Sequence, residues 1–401
     1  MPDEEILPQL DFGPNDESAN DTEGEDDLSA LTAVAISQSV VFSTDWTTET
    51  ILRQLDRGNI EMDPAYQRRD AWRAGTKSRF IESLMLGLPI PQLVFAESKG
   101  KRGSYIVIDG KQRLLTLRQF AAKHDDPDYS PLVLTGLKIR SDLNGKTLET
   151  LANDPACQAD LDAFSNQTIR TVVLRNWPNE EFLFLVFLRL NSETVKLSPQ
   201  ELRQALHPGE FVKFTVQRSS ASTALQSFFN RSEPDFRMRD VELFVRYYAF
   251  KNFISSYRGN LKEFLDSTCR ELNARWSVEQ GQLTAQADEL DAAIEATVSV
   301  FGPRNAFKKS DGEGYEKSRN RAVFDIMVYY FSDVNIRRAV LQHRAEVEVA
   351  FRQLCTNTEF VRAIESTTKS VGSTYLRLAL WGHALGSAVG MNIPVPVIAA
   401  T

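Results

Sequence analysis

The stretch "VIDGKQRLLTLRQF", residues 107–120, sets a carboxylate, a glycine, two cations and an amide where an apolar run ends and helical spacing begins. Gly110 has no Cβ, so backbone can come close to a ligand there. A helix starting near Lys111 would turn unpaired N–H groups and the positive end of its dipole toward an anion. Lys111 and Arg113 add charge, and a guanidinium can hold phosphate through two parallel hydrogen bonds. Asp109 would repel a phosphate unless it holds a metal ion or water. The spacing leaves two roles open for it, Mg²⁺ or water ligand on one side and helix cap on the other. By itself the motif suits a nucleotide or phosphodiester site.

Two other segments could join it. "DPAYQRRDAW" gathers Tyr66, Gln67, Arg68, Arg69 and Trp72. Cations mixed with aromatics can stack on bases and bind phosphates, although the same residues make an ordinary anchored loop with solvated arginines. "RLNSETVKLSPQELRQAL", 189–206, leaves one helix and enters another. Asn191 and Ser192 could bind a ligand from there, or simply close a helix end.

Local signals place these residues on elements. Thr47–Arg57 reads as a short helix ended by Gly58, and Pro64 keeps "NIEMDPAYQRR" extended. Thr76 is the expected cap of a helix with Phe80, Ile81, Leu84, Met85 and Leu88 on one side, ending at Gly87. "QLVFAE" and "SYIVI" are strands joined by "SKGKRG", and Ile169–Leu174 is another. A buried helix starts at Asn179. Ser198, Pro199 and Glu201 have the spacing of N-cap, N1 and N3 of a capping box. Helical patterns then run over roughly 236–270, 280–300, 317–331, 334–353 and 374–386, with 301–320 as a long loop. The expected fold is therefore α+β, with a small mixed sheet before a mainly helical domain. The expected divisions are an acidic disordered tail at 1–40, a core at 41–195, a helical domain at 196–390 and a tail at 391–401.

Charge is unevenly spread. Residues 1–27 hold eleven acidic residues and no Lys or Arg. Removing them from the net −8 leaves +3 on the rest. Such a leader is expected to be solvated, with mimicry of nucleic acid as the alternative. Three dispersed cysteines and no CxxC argue against a disulfide framework or zinc knuckle. Four histidines without HxxxH spacing give no His-dependent metal nuclease, and no P-loop motif occurs. The longest apolar run is too short for a membrane span, and the N-terminus has no signal-peptide pattern. A cytoplasmic location with no membrane association is the expectation.

In combination, "YQRRDAW", "VIDGKQRLLTL" and "FLRLNSETVKLSPQEL" resemble the DUF262 family, the GmrSD-type N-terminal domain with a ParB/sulfiredoxin-like fold. "LGLPIPQLVF" and "RMRDVELFVRYYAF…YRGNLKEFL" resemble further family segments and extend the likeness over roughly 42–330. The resemblance implies a ParB-like core that hydrolyses or binds a nucleoside triphosphate, with Mg²⁺ if it is catalytic, in restriction or anti-phage systems. The implied catalytic residues are Asp109, Gln112 and Arg113. Tyr66, Gln67, Arg68, Gly110 and Lys111 would line the phosphate site, with Arg189 and Asn191 approaching it. The alternative is a non-catalytic DNA- or nucleotide-binding module that works with a partner nuclease or modification-system subunit. A homo-oligomer is compatible with either. The chain departs from the family pattern at Lys111, where the first Gln of D-G-Q-Q-R is usual, and at Glu193-Thr194, where Gly-Gly is frequent. It also lacks the histidines of the HNH domain that many relatives carry.

Overall fold

The computed structural model describes residues 39–60, 71–190, 198–229, 234–235, 237–366 and 368–398. Leu28–Leu206 forms one compact unit, and His207–Thr401 makes up the bulk of the other.

The first unit holds β1 (Val40–Thr47), α1 (Thr48–Asp56), α2 (Ala74–Met85), β2 (Leu93–Glu97), β3 (Tyr105–Asp109) and α3 (Lys111–Ala121). It continues with α4 (Leu148–Ala152), α5 (Gln158–Asn166), β4 (Thr168–Arg175), α6 (Glu180–Leu190) and α7 (Pro199–Leu206). The strands form one sheet in the order β1-β4-β2-β3. β1 and β3 pair antiparallel to their neighbours and β2 pairs parallel to β4, so the sheet is mixed, as expected. Period-2 alternation along β2 sends side chains to two cores. Leu93 and Phe95 pack with Ile81 and Leu84 of α2, Leu114 and Leu117 of α3, and Phe164 of α5. Val94 and Ala96 pack with Phe182, Leu183 and Phe187 of α6 and Leu202 of α7. Both faces of β2 are thus covered, which is why "LVFA" is continuously apolar.

Turn chemistry follows the sequence closely. Gly58 and Gly87 adopt φ of +64° and +68° just past α1 and α2. The amides of Leu88 and Gly87 donate to the carbonyls of Ser83 and Leu84, closing α2 in the Schellman manner. Asn179 Oδ1 accepts from the Phe182 amide at 3.1 Å at the start of α6. The α7 capping box is complete: Ser198 Oγ accepts from the Glu201 amide at 3.2 Å, and Glu201 Oε2 accepts from the Ser198 amide at 2.7 Å.

Three local expectations need correction. The N-cap of α2 is Arg73, and Thr76 lies inside the first turn. Val40 belongs to β1, so the sheet starts at the last residue assigned to the acidic tail. The first unit extends through α7 to Leu206, one helix beyond residue 195, because Leu202 closes the second core.

The second unit contains α8 (Glu210–Ala221), α9 (Thr223–Phe228), α10 (Arg239–Phe253), α11 (Leu261–Phe301), α12 (Arg321–Phe331), α13 (Val334–Gln342), α14 (Arg344–Leu354), α15 (Thr358–Glu365) and α16 (Val371–Val389). The pattern over 236–270 is two helices, since Gly259 at φ +88° and the Asn260 cap separate α10 from α11. The expected break between 270 and 280 does not occur. α11 runs unbroken for 41 residues, about 60 Å at 1.5 Å per residue. Its middle is polar and unburied, with Arg275 paired to Glu271 at 3.0 Å, so apolar periodicity vanishes while the helix continues.

Candidate functional site: the β3–α3 junction

β3 ends at Asp109, Gly110 turns the chain at φ +101°, and α3 begins at Lys111. The N-cap position is Gly110, and no side chain caps the helix. Asp109 is therefore not the cap, because a left-handed residue has taken that place. The close approach that demands glycine comes from within the chain. A Cβ on Gly110 would lie 2.3 Å from Leu93 Cδ2 and 3.2 Å from Arg113 Nη2.

Arg113 folds back over this turn. Its Nη2 donates to Asp109 Oδ2 at 2.9 Å and to the Gln92 carbonyl at 3.0 Å. Its Nε is buried and makes no hydrogen bond. The Asp109 side chain is 35% exposed and that of Arg113 is 13% exposed, so the pair lies at the rim of the fold with the guanidinium shielded. Such a pair adds little stability, up to about 1 kcal/mol. It holds the guanidinium beside an uncapped helix start.

Lys111 goes elsewhere. Its side chain runs inward and its Nζ bonds Glu201 Oε1, with both side chains about 5% exposed. Glu201 thus uses one carboxylate oxygen for the α7 capping box and the other for Lys111. Gln112 Oε1 accepts from the Ala71 amide at 3.3 Å. That bond ties the start of α3 to the chain just ahead of α2. Tyr66, Gln67, Arg68 and Asn191 lie outside the described residues. Arg189 is exposed in the last turn of α6.

The junction therefore brings Asp109, Gly110 and Arg113 together at the turn, while the Lys111 ammonium, expected among the phosphate ligands, is turned inward to Glu201 and the Gln112 side chain is bonded to the Ala71 amide. Sequence reasoning missed two partners. The Gln92 carbonyl has no sequence signal. Glu201 stood out only as a capping residue, because a contact across 90 positions leaves no periodic trace.

A metal ion does not fit the described side chains on their own. Asp109 is engaged by Arg113, and no group of three or more His, Cys, Asp or Glu able to hold a metal occurs among the described residues. No described helix is long and apolar enough to cross a membrane.

The strand, the left-handed glycine and the helix without a side-chain cap form the central junction of an α+β unit. Residues 49–208 match the family model of the GmrSD restriction endonuclease N-terminal domain, in line with the DUF262 resemblance of the sequence. The match covers α1 to α7 and leaves most of the helical unit outside it. No curated protein and no solved structure matches the chain.

Proposed function

We propose that the segment 49–208 binds the phosphates of a nucleoside triphosphate at the β3–α3 junction, as the NTP-hydrolysing sensor or nuclease subunit of a restriction or anti-phage system. The observation that carries this reading is the uncapped start of α3 behind Gly110, with the Arg113 guanidinium held over it. First-turn amides and the dipole would take phosphate oxygens, and Arg113 would exchange Asp109 for phosphate. Released in this way, Asp109 becomes a free carboxylate beside the bound ligand, able to hold a water molecule. Mg²⁺ enters only with the triphosphate that carries it, where it supplies charge neutralisation. The family named in the match is one of restriction endonucleases, which supports the biological setting.

One observation favours a second reading, binding without turnover until a partner arrives. Asp109 Oδ2 is occupied by Arg113, so in this arrangement that oxygen is not available to an attacking water.

A single set of measurements separates the readings. The full chain is titrated with ATP and GTP in the presence of Mg²⁺, by calorimetry and by phosphate release. Binding with multiple turnover that Asp109→Ala abolishes supports hydrolysis. Binding without turnover, lost in Arg113→Ala, supports the module reading. Absence of binding to either nucleotide rejects both.

A further inference from the structure

This chain has a lysine at the third position of D-G-K-Q-R, and the structure shows where the extra charge goes. Lys111 is the first residue of α3, yet its ammonium is buried against Glu201 and not at the turn. The Glu201 carboxylate competes with any anion placed at that turn for the Lys111 ammonium. Glu201 is held in position independently of Lys111, by the capping box through Oε2 and by the backbone of α7, whose Leu202 sits in the second core. The carboxylate is thus rigid, while the lysine stem has four rotatable bonds.

We propose that Glu201 is a positioning residue that withholds Lys111 from the phosphate site, setting the affinity of the junction below what its two cations could provide. The inference rests on the phosphate-binding reading given above. With Glu201 charged, Lys111 Nζ stays inward and, of the two cations of the D-G-K-Q-R run, Arg113 is the one that faces the ligand. With that charge removed, Lys111 turns to the phosphates. The same contact links ligand binding to the start of α7, because a phosphate that captured Lys111 would leave the Glu201 carboxylate buried without its cation.

The test uses the full chain and tripolyphosphate, the phosphate chain shared by nucleoside triphosphates, with affinity measured by calorimetry at two salt concentrations. Glu201→Gln keeps a carbonyl oxygen for the Ser198 amide and removes the competing charge. It is expected to tighten binding about tenfold, within the range of ordinary coupling energies, and to steepen the salt dependence. Unchanged or weaker binding by folded Glu201→Gln overturns the proposal. The double variant Lys111→Gln/Glu201→Gln buries no charge and tests the idea even if the single variant does not fold. Because Lys111 is withheld in the wild type, the double variant is expected to bind within about twofold of it. A loss of tenfold or more in the double variant means that Lys111 already serves the ligand, and overturns the proposal. If tripolyphosphate binds neither the wild type nor any variant, the phosphate reading itself fails. If it binds the wild type and Glu201→Gln equally, only the withholding role fails.

Discussion

Two arginine–aspartate pairs show how the same chemistry serves different ends. In the helical unit, Arg246 of α10 donates through Nε and Nη2 to Asp325 of α12, at 3.1 and 2.5 Å, with side chains 0% and 4% exposed. Arg377 of α16 adds a contact to the same carboxylate at 3.5 Å. In the sheet unit, Arg113 meets Asp109 through one nitrogen, at the rim, across a turn with no cap. The first pair fastens three helices in a place water does not reach. The second is cheap to open and stands beside a helix start with no side-chain cap. Burial and the number of hydrogen bonds, and not the residue types, distinguish a structural pair from one that can exchange partners.

The largest expected effect tests the buried end of this comparison. Asp325→Asn leaves Arg246 and Arg377 without their carboxylate and is expected to cost about 4 kcal/mol, read as a lowered midpoint in urea unfolding. A loss under about 1 kcal/mol would make the two pairs energetically alike. Gly110→Ala comes next. The left-handed φ and the approach of Leu93 together are expected to cost about 3 kcal/mol, again by urea unfolding, and to disturb Arg113.

Lys77 gives a third case, a cation 6% exposed whose Nζ donates to the neutral Gln119 Oε1 at 2.7 Å. Burial pushes its pKa down to about 8. The unfolded chain therefore binds more protons than the folded one between pH 8 and the ordinary lysine value, and this residue's contribution to stability rises with pH across that window. Measured against Lys77→Met, the wild type should gain stability from pH 8 to pH 10, and a constant difference would reject the assignment. The smallest effect on stability is expected at the rim. Arg113→Ala should cost under about 1 kcal/mol in the same unfolding assay and still remove triphosphate binding. A large stability loss would move this pair into the structural class.

The sequence was most legible where the signal is local. Ser198, Pro199 and Glu201 announced α7, Gly58 and Gly87 announced helix ends, and the D-G-K-Q-R run announced the strand-to-helix junction. It was least legible where solvent or distance decides. β1 was hidden because Val40, Val41 and Phe42 are 47%, 62% and 46% exposed, so its outer end shows no alternation of apolar and polar residues. The middle of α11 was hidden because a solvated helix needs no apolar stripe. The partner of Lys111 was hidden because pairing between remote segments is settled by tertiary packing alone.

The bond between Lys111 and Glu201 also governs how this protein can be dissected. A fragment ending at residue 195 would keep all four strands and still lack the carboxylate that seats Lys111, along with Leu202, which closes the second core. Ending at Leu206 retains both. Fragment chemistry on the amino-terminal half therefore has its natural cut after α7, and shorter pieces are expected to expose a greasy surface and to clump.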